Sequence, residues 1–163
     1  MHTKCPKLKI FKIGGRGTAS PNYHGSLGTF SVPRFGQFME TLVMTNLRNG
    51  GGSPLIVGFA NDCFDDSGNW SLIDLRYNNM STGTIDTLIN RLYDIPLNNS
   101  TPTVKLEGNN HPTVDDPGQT TFNLNRRTPG DEGADTGNLK VNEMIDAGIT
   151  FTANSSGSYS WIN

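Results

Sequence analysis

Three segments of this 163-residue chain share one pattern: an apolar–x–apolar pair followed three residues later by an asparagine or aspartate. Residues 54–64 supply Val57, Phe59 and Asp62. Residues 70–80 supply Ile73, Leu75 and Asn78, and residues 101–111 supply Val104, Leu106 and Asn109. A shorter copy, Ile149-Thr150-Phe151-Thr152-Ala153-Asn154, follows near the end. Alternation of period two marks a strand with one buried face. An amide or acid just past it marks a turn whose backbone groups a side chain can satisfy. A chain built from such units has to bury the same face of each against its neighbours.

Between the copies the period changes to that of a helix. Ile85, Leu88, Ile89 and Leu92 recur at i, i+3, i+4 and i+7, with Ser81 or Thr82 as the cap, Asp86 near the positive end and Pro96 beyond the other end. Val141, Met144, Ile145 and Gly148 repeat that spacing, with Thr136 as a candidate cap and Gly148 as the left-handed residue after the helix. Phe35, Phe38, Met39 and Leu42 have it too, so a helix is also expected there, ended by Asn49-Gly50-Gly51-Gly52. Strands separated by helices imply parallel pairing through crossovers. The first strand is expected at residues 9–13, followed from Gly14 to Pro33 by a Gly-, Ser- and Pro-rich extended arm or long ordered loop. The expected division is an N-terminal strand and arm over 1–34 and an α/β domain over 35–163.

The repeated segments resemble the leucine-rich-repeat consensus L-x-x-L-x-L-x-x-N-x-L. Trp70, Ile73, Leu75, Asn78 and Met80 fill its five places; Pro54, Val57, Phe59, Asp62 and Phe64 fill them in the first copy. Thr101, Val104, Leu106, Asn109 and His111 depart at the first and last places. The resemblance covers about residues 54–154, and its spacing is irregular. From Val57 to Ile73 is 16 residues, to Val104 a further 31, and to Ile149 a further 45, with an insertion at about 112–133. In this irregularity the chain is similar to repeat modules of phage structural and bacterial surface proteins. The resemblance implies an α/β fold: a short, irregular, parallel sheet with crossover helices and an extended N-terminal arm. It also implies a ladder of Asp62, Asn78 and Asn109 serving backbone groups of neighbouring turns. Aligning the copies sets Asp74 opposite Lys105 and Arg76 opposite Glu107, two opposite-charge pairs that favour this register.

Composition narrows the function. Apolar residues make up only 34% and charged residues 17%, with 19 glycines, which suits short elements and many turns. The formal net charge is −2 and no basic block stands out, which gives no reason to expect nucleic acid. No signal peptide or membrane span is read, so no membrane partner is expected. Cys5 and Cys63 are expected as free thiols. His2, His24 and His111 lack an orienting carboxylate or metal spacing, and no nucleophile or phosphate-loop motif is present. No catalytic residue and no cofactor are expected. Asp62, Asp65 and Asp66 are weak candidates for a cation site, lacking the spacing and closing glutamate of a calcium loop.

What remains is interaction with other protein subunits. The leading expectation is a structural or decoration component of a virus particle, from a bacteriophage capsid or tail, located in the virion. The alternative is a repeat module at a bacterial surface or in the cytoplasm. That module would bind a protein or glycan through Asp74, Arg76, Tyr77, Lys105 and Glu107 on the open sheet face.

Overall fold

A computed structural model describes residues 7–14, 28–49, 52–61, 63–64, 69–93, 101–110, 112 and 137–153. Its main element is a five-stranded, all-parallel sheet. The strands are β1 (Ile10–Gly14), β3 (Thr41–Thr45), β5 (Leu72–Asp74), β6 (Thr103–Lys105) and β7 (Thr150–Thr152), ordered in space as they are in the chain. The intervening segments form a second layer. β2 (Phe30–Val32) and β4 (Ile56–Phe59) pair in parallel as a two-stranded sheet, and the helices α1 (Thr82–Tyr93) and α2 (Gly137–Asp146) continue it. α1 packs on β4 on one side and on α2 on the other. Each of the first four strands of the main sheet is therefore followed by a crossover that returns along the second layer.

The register gives the repeat its true length. Phe11, Leu42, Ile73, Val104 and Phe151 stand side by side. The first four are each 31 residues apart and the last interval is 47. Side chains of this row point between the layers, and Leu42, Ile73 and Val104 are fully buried. The next inward row is Ile13, Met44, Leu75, Leu106 and Ala153. Ile85, Leu88, Ile89 and Leu92 of α1, and Val141 and Met144 of α2, close the same core from the other layer.

Four expectations are corrected. The apolar spacing over 35–42 does not make a helix: residues 35–39 form a turn and loop, and Thr41–Thr45 is a strand. Phe35 and Met39 are buried, but Phe38 is 44% exposed, because the face belongs to a repeat rung and not to a helix. The pair Val57/Phe59 is not a rung of the main sheet. It lies on β4 in the second layer, with Ile56 and Phe59 inward and Val57 46% exposed. The last copy is displaced by two residues, since Phe151, not Ile149, stands beside Val104. Asp86 lies beyond the first turn of α1.

The caps explain these boundaries. Ser81 starts α1, its Oγ accepting from the Thr84 N–H at 3.2 Å. α2 ends in a Schellman turn: Gly148 (φ 100°) donates to the Ile145 carbonyl, and Ile149 donates to that of Met144. The Ile149 N–H is thereby used in the cap, and β7 begins one residue later.

Candidate functional site

The face of the main sheet turned away from the core is organised by the same register. Ile10, Thr41, Leu72, Thr103 and Thr150 form one row across it. Lys12, Val43, Asp74, Lys105 and Thr152 form the next. Alternation along each strand forces this, since successive side chains point to opposite faces. Arg76 and Glu107 follow two residues beyond Asp74 and Lys105, extending the same face past the strand ends.

At its centre sits Asp74, only 5% exposed. It is held by Arg76 in a two-pronged contact: Nε donates to Oδ1 at 2.9 Å and Nη2 to Oδ2 at 2.8 Å. The Arg76 backbone N–H also points at Oδ1, at 3.3 Å. The hydrogen bond to Asp74 raises the Arg76 pKa above its ordinary value. Burial opposes this, and the charges of Asp74, Glu107 and Tyr77 add to it. The guanidinium lies 6.0 Å from the centroid of the Tyr77 ring.

Asp74 does stand opposite Lys105 in the ladder. The ion pair, however, is Asp74 with Arg76 along the chain and not Asp74 with Lys105 across it. A planar guanidinium matches both carboxylate oxygens at once, which a lysine cannot do. Glu107 is left without Arg76 as a hydrogen-bonding partner. Its Oε2 is buried and makes no hydrogen bond, and neither does the buried Thr152 Oγ1. Two polar oxygens at one end of the face therefore have unused hydrogen-bonding capacity.

Tyr77 is placed differently from the other four. It adopts φ 61°, in the turn, in a column with Asn46 (φ 57°) and Gly108 (φ 77°). Its ring lies over Gly108, where a Cβ would stand 2.5 Å from Tyr77 Cδ1. Tyr77 thus forms the rim at the strand ends, and the sheet face proper holds Asp74, Arg76, Lys105 and Glu107. Sequence reasoning missed the threonines. Thr41, Thr103, Thr150 and Thr152 add hydroxyls to the face, and period-two counting from the buried row would have found them.

Beneath this rim runs the amide ladder. Asn78, fully buried, donates from Nδ2 to the carbonyls of Met44 (2.6 Å) and Leu75 (2.8 Å), and its Oδ1 accepts from the Leu47 N–H at 2.7 Å. Asn109 repeats this one rung on, with the carbonyls of Leu75 (2.8 Å) and Leu106 (3.0 Å) and the Met80 N–H (3.0 Å). Each asparagine joins its own turn to the one before it. The third member expected, Asp62, lies outside the described residues, as do Asp65, Asp66, Cys5, Thr136, Pro96 and the three histidines. In the rung before Asn78 the ladder position belongs to Leu47.

Cys63 is buried and its thiol is not in a disulfide. Among the described residues no group of three or more His, Cys, Asp or Glu side chains gathers. No described helix is long and apolar enough to cross a membrane. No family model, curated protein or solved structure matches the chain.

Proposed function

We propose that this chain is a leucine-rich-repeat-type binding module that holds a protein partner against the open face of its main sheet. The observation that carries this reading is the polar cluster on that face. Asp74 and Arg76 are locked together, while Glu107 Oε2 and Thr152 Oγ1 are desolvated without a partner. A buried carboxylate oxygen with no hydrogen bond is unfavourable in the free chain, and turning the half-buried Glu107 side chain outward to an incoming N–H or ammonium group would relieve it. The repeat assignment is supported by the 31-residue register, the asparagine ladder and the left-handed residue recurring before each ladder position.

The test is a displayed-peptide library and a glycan array, each screened with the native chain and with the Asp74→Ala/Arg76→Ala variant. A peptide that binds the native chain and loses at least tenfold in affinity for the variant supports the reading. Ligands confined to the glycan array would move the partner class. Ligands bound equally by both chains would contradict the site.

A second reading, a structural component of a virus particle acting through protein–protein contacts, is favoured by a separate observation. Among the described residues, the main sheet ends in two edge strands, β1 and β7. Particle subunits commonly join through such surfaces, and copurification with assembled particles would test it.

A further inference from the structure

The two ends of the main sheet are complementary in three respects, and none depends on what binds its open face. The first is hydrogen bonding. The Lys9 carbonyl accepts from the N–H groups of Glu40 and Thr41. Backbone groups alternate sides along a strand, so Phe11 and Ile13 also face β3, while Ile10, Lys12 and Gly14 face away from the sheet. At the other end, Thr150 donates to Pro102 and Thr152 accepts from Leu106. The groups of Phe151 therefore face outward. In the register of the internal junctions, Phe151 belongs beside Phe11, where its N–H and carbonyl would meet the outward groups of Ile10 and Lys12.

The second is apolar cover. Ile13 is 40% exposed, whereas Met44, Leu75 and Leu106 in the same row are at most 3% exposed. Among the described residues those three have a rung on each side, and Ile13 has one on one side. In a stacked arrangement Ala153 of the preceding copy would stand beside it.

The third is charge. Lys4, Lys7, Lys9, Lys12, Arg16 and Arg34 fall within the first 39 residues, and the first acidic residue is Glu40. From there on, seven basic residues face fifteen acidic ones, a net of −8. Joining two β1 edges antiparallel would bring like charges together, with Lys12 in the middle of both strands. Joining β1 to β7 avoids this, setting Lys12 beside the neutral Thr152 in the continued register.

We propose that copies of this chain stack head to tail, β1 of one pairing in parallel with β7 of the next to continue the sheet. Such a contact uses two different surfaces and does not close by itself, so it builds a filament or a ring.

The test is light scattering and negative-stain microscopy of the full chain over a concentration series. The native chain should grow beyond a dimer at low ionic strength and shorten as salt is added. Lys12→Pro removes an outward donor at a position where an edge strand tolerates proline. It should stay at the monomer mass of 17.7 kDa with an unchanged circular dichroism spectrum. Its β7 is intact, so a substoichiometric amount added to the native chain should cap growing stacks and lower their mean mass at least twofold. Should the proline variant fail to fold, Ile13→Asp charges the same joint at an already exposed side chain and should also lower the mass. A native chain that is monomeric at every concentration would overturn the proposal. So would growth that stops at a dimer, or folded variants that assemble as the native chain does.

Discussion

The rung at Asn78 and the rung before it make the same turn by different means. At Asn78 the side chain enters the turn and serves three backbone groups, two of them in the preceding rung. In that preceding rung the corresponding residue, Leu47, offers no polar atom. It fills core volume, and its own N–H is satisfied by Asn78 from the rung that follows. An amide is needed wherever the preceding turn would otherwise hold orphaned groups. A rung can give up its own asparagine only if the next one keeps its amide. The ladder is thus directional, each rung completing the one before it.

The largest effect should come from breaking that asymmetry on its polar side. Asn78→Leu strands the Leu47 N–H and the Met44 carbonyl, each worth ~1–3 kcal/mol when buried unsatisfied. Asn109 still serves Leu75, so the expected loss in urea denaturation is about 3 kcal/mol. A loss below ~1 kcal/mol would mean that water fills the turn equally well.

Gly108→Ala should cost about 2 kcal/mol or more. A Cβ there would lie 2.9 Å from Tyr77 Cα, on a residue with φ 77°. The double change Gly108→Ala/Tyr77→Gly should recover part of it, because it removes both the ring and a left-handed non-glycine. Ser81→Ala should cost ~1 kcal/mol by removing the cap of α1. That change lies in the second layer and should leave the ladder alone.

Smallest is Lys9→Ala. Its ion pair with Glu40 joins β1 to the residue before β3, but both side chains are well exposed. The expected change is below ~1 kcal/mol and should fade in high salt. Arg76 should add nothing to the pH dependence near neutrality. Its folded pKa is raised above the ordinary guanidinium value, so its contribution is fully present below the unfolded pKa and lost only as pH rises through the folded value. A fall in stability between pH 6 and pH 9 (about the range of the titration) that vanishes in Arg76→Ala would contradict this.

The middle of the molecule was legible from the sequence and its beginning was not. Rungs 73–78 and 104–109 keep both apolar positions and the asparagine, so their pairing, and the opposition of Asp74 and Lys105, could be read directly. The rung at Met39, Leu42 and Met44 carries leucine in the amide position. Its Met39-x-x-Leu42 spacing is shared with a helix, and Phe35 one turn earlier completed the false match. Gly36 within that stretch, a poor helix residue, was the available warning. Residues 54–64 misled in the opposite direction. The alternation there is real, but it buries Ile56 and Phe59 from the second layer, and periodicity alone cannot say which layer a strand joins. On the open face the charged residues were identified, but their pairing was not. The two-pronged geometry that gives Asp74 to Arg76 depends on a backbone turn that spacing does not reveal.

The directional ladder is tested most directly by amide hydrogen exchange at Leu47 and Met80, measured by NMR in the native chain and in Asn78→Leu. In the native chain both amides should exchange as slowly as those of the central strands. In the variant Leu47 should lose its protection, while Met80, bonded to Asn109, keeps more of it than Leu47 does. A Leu47 amide that exchanges freely in the native chain, or equal loss at both sites through local opening, would contradict the account.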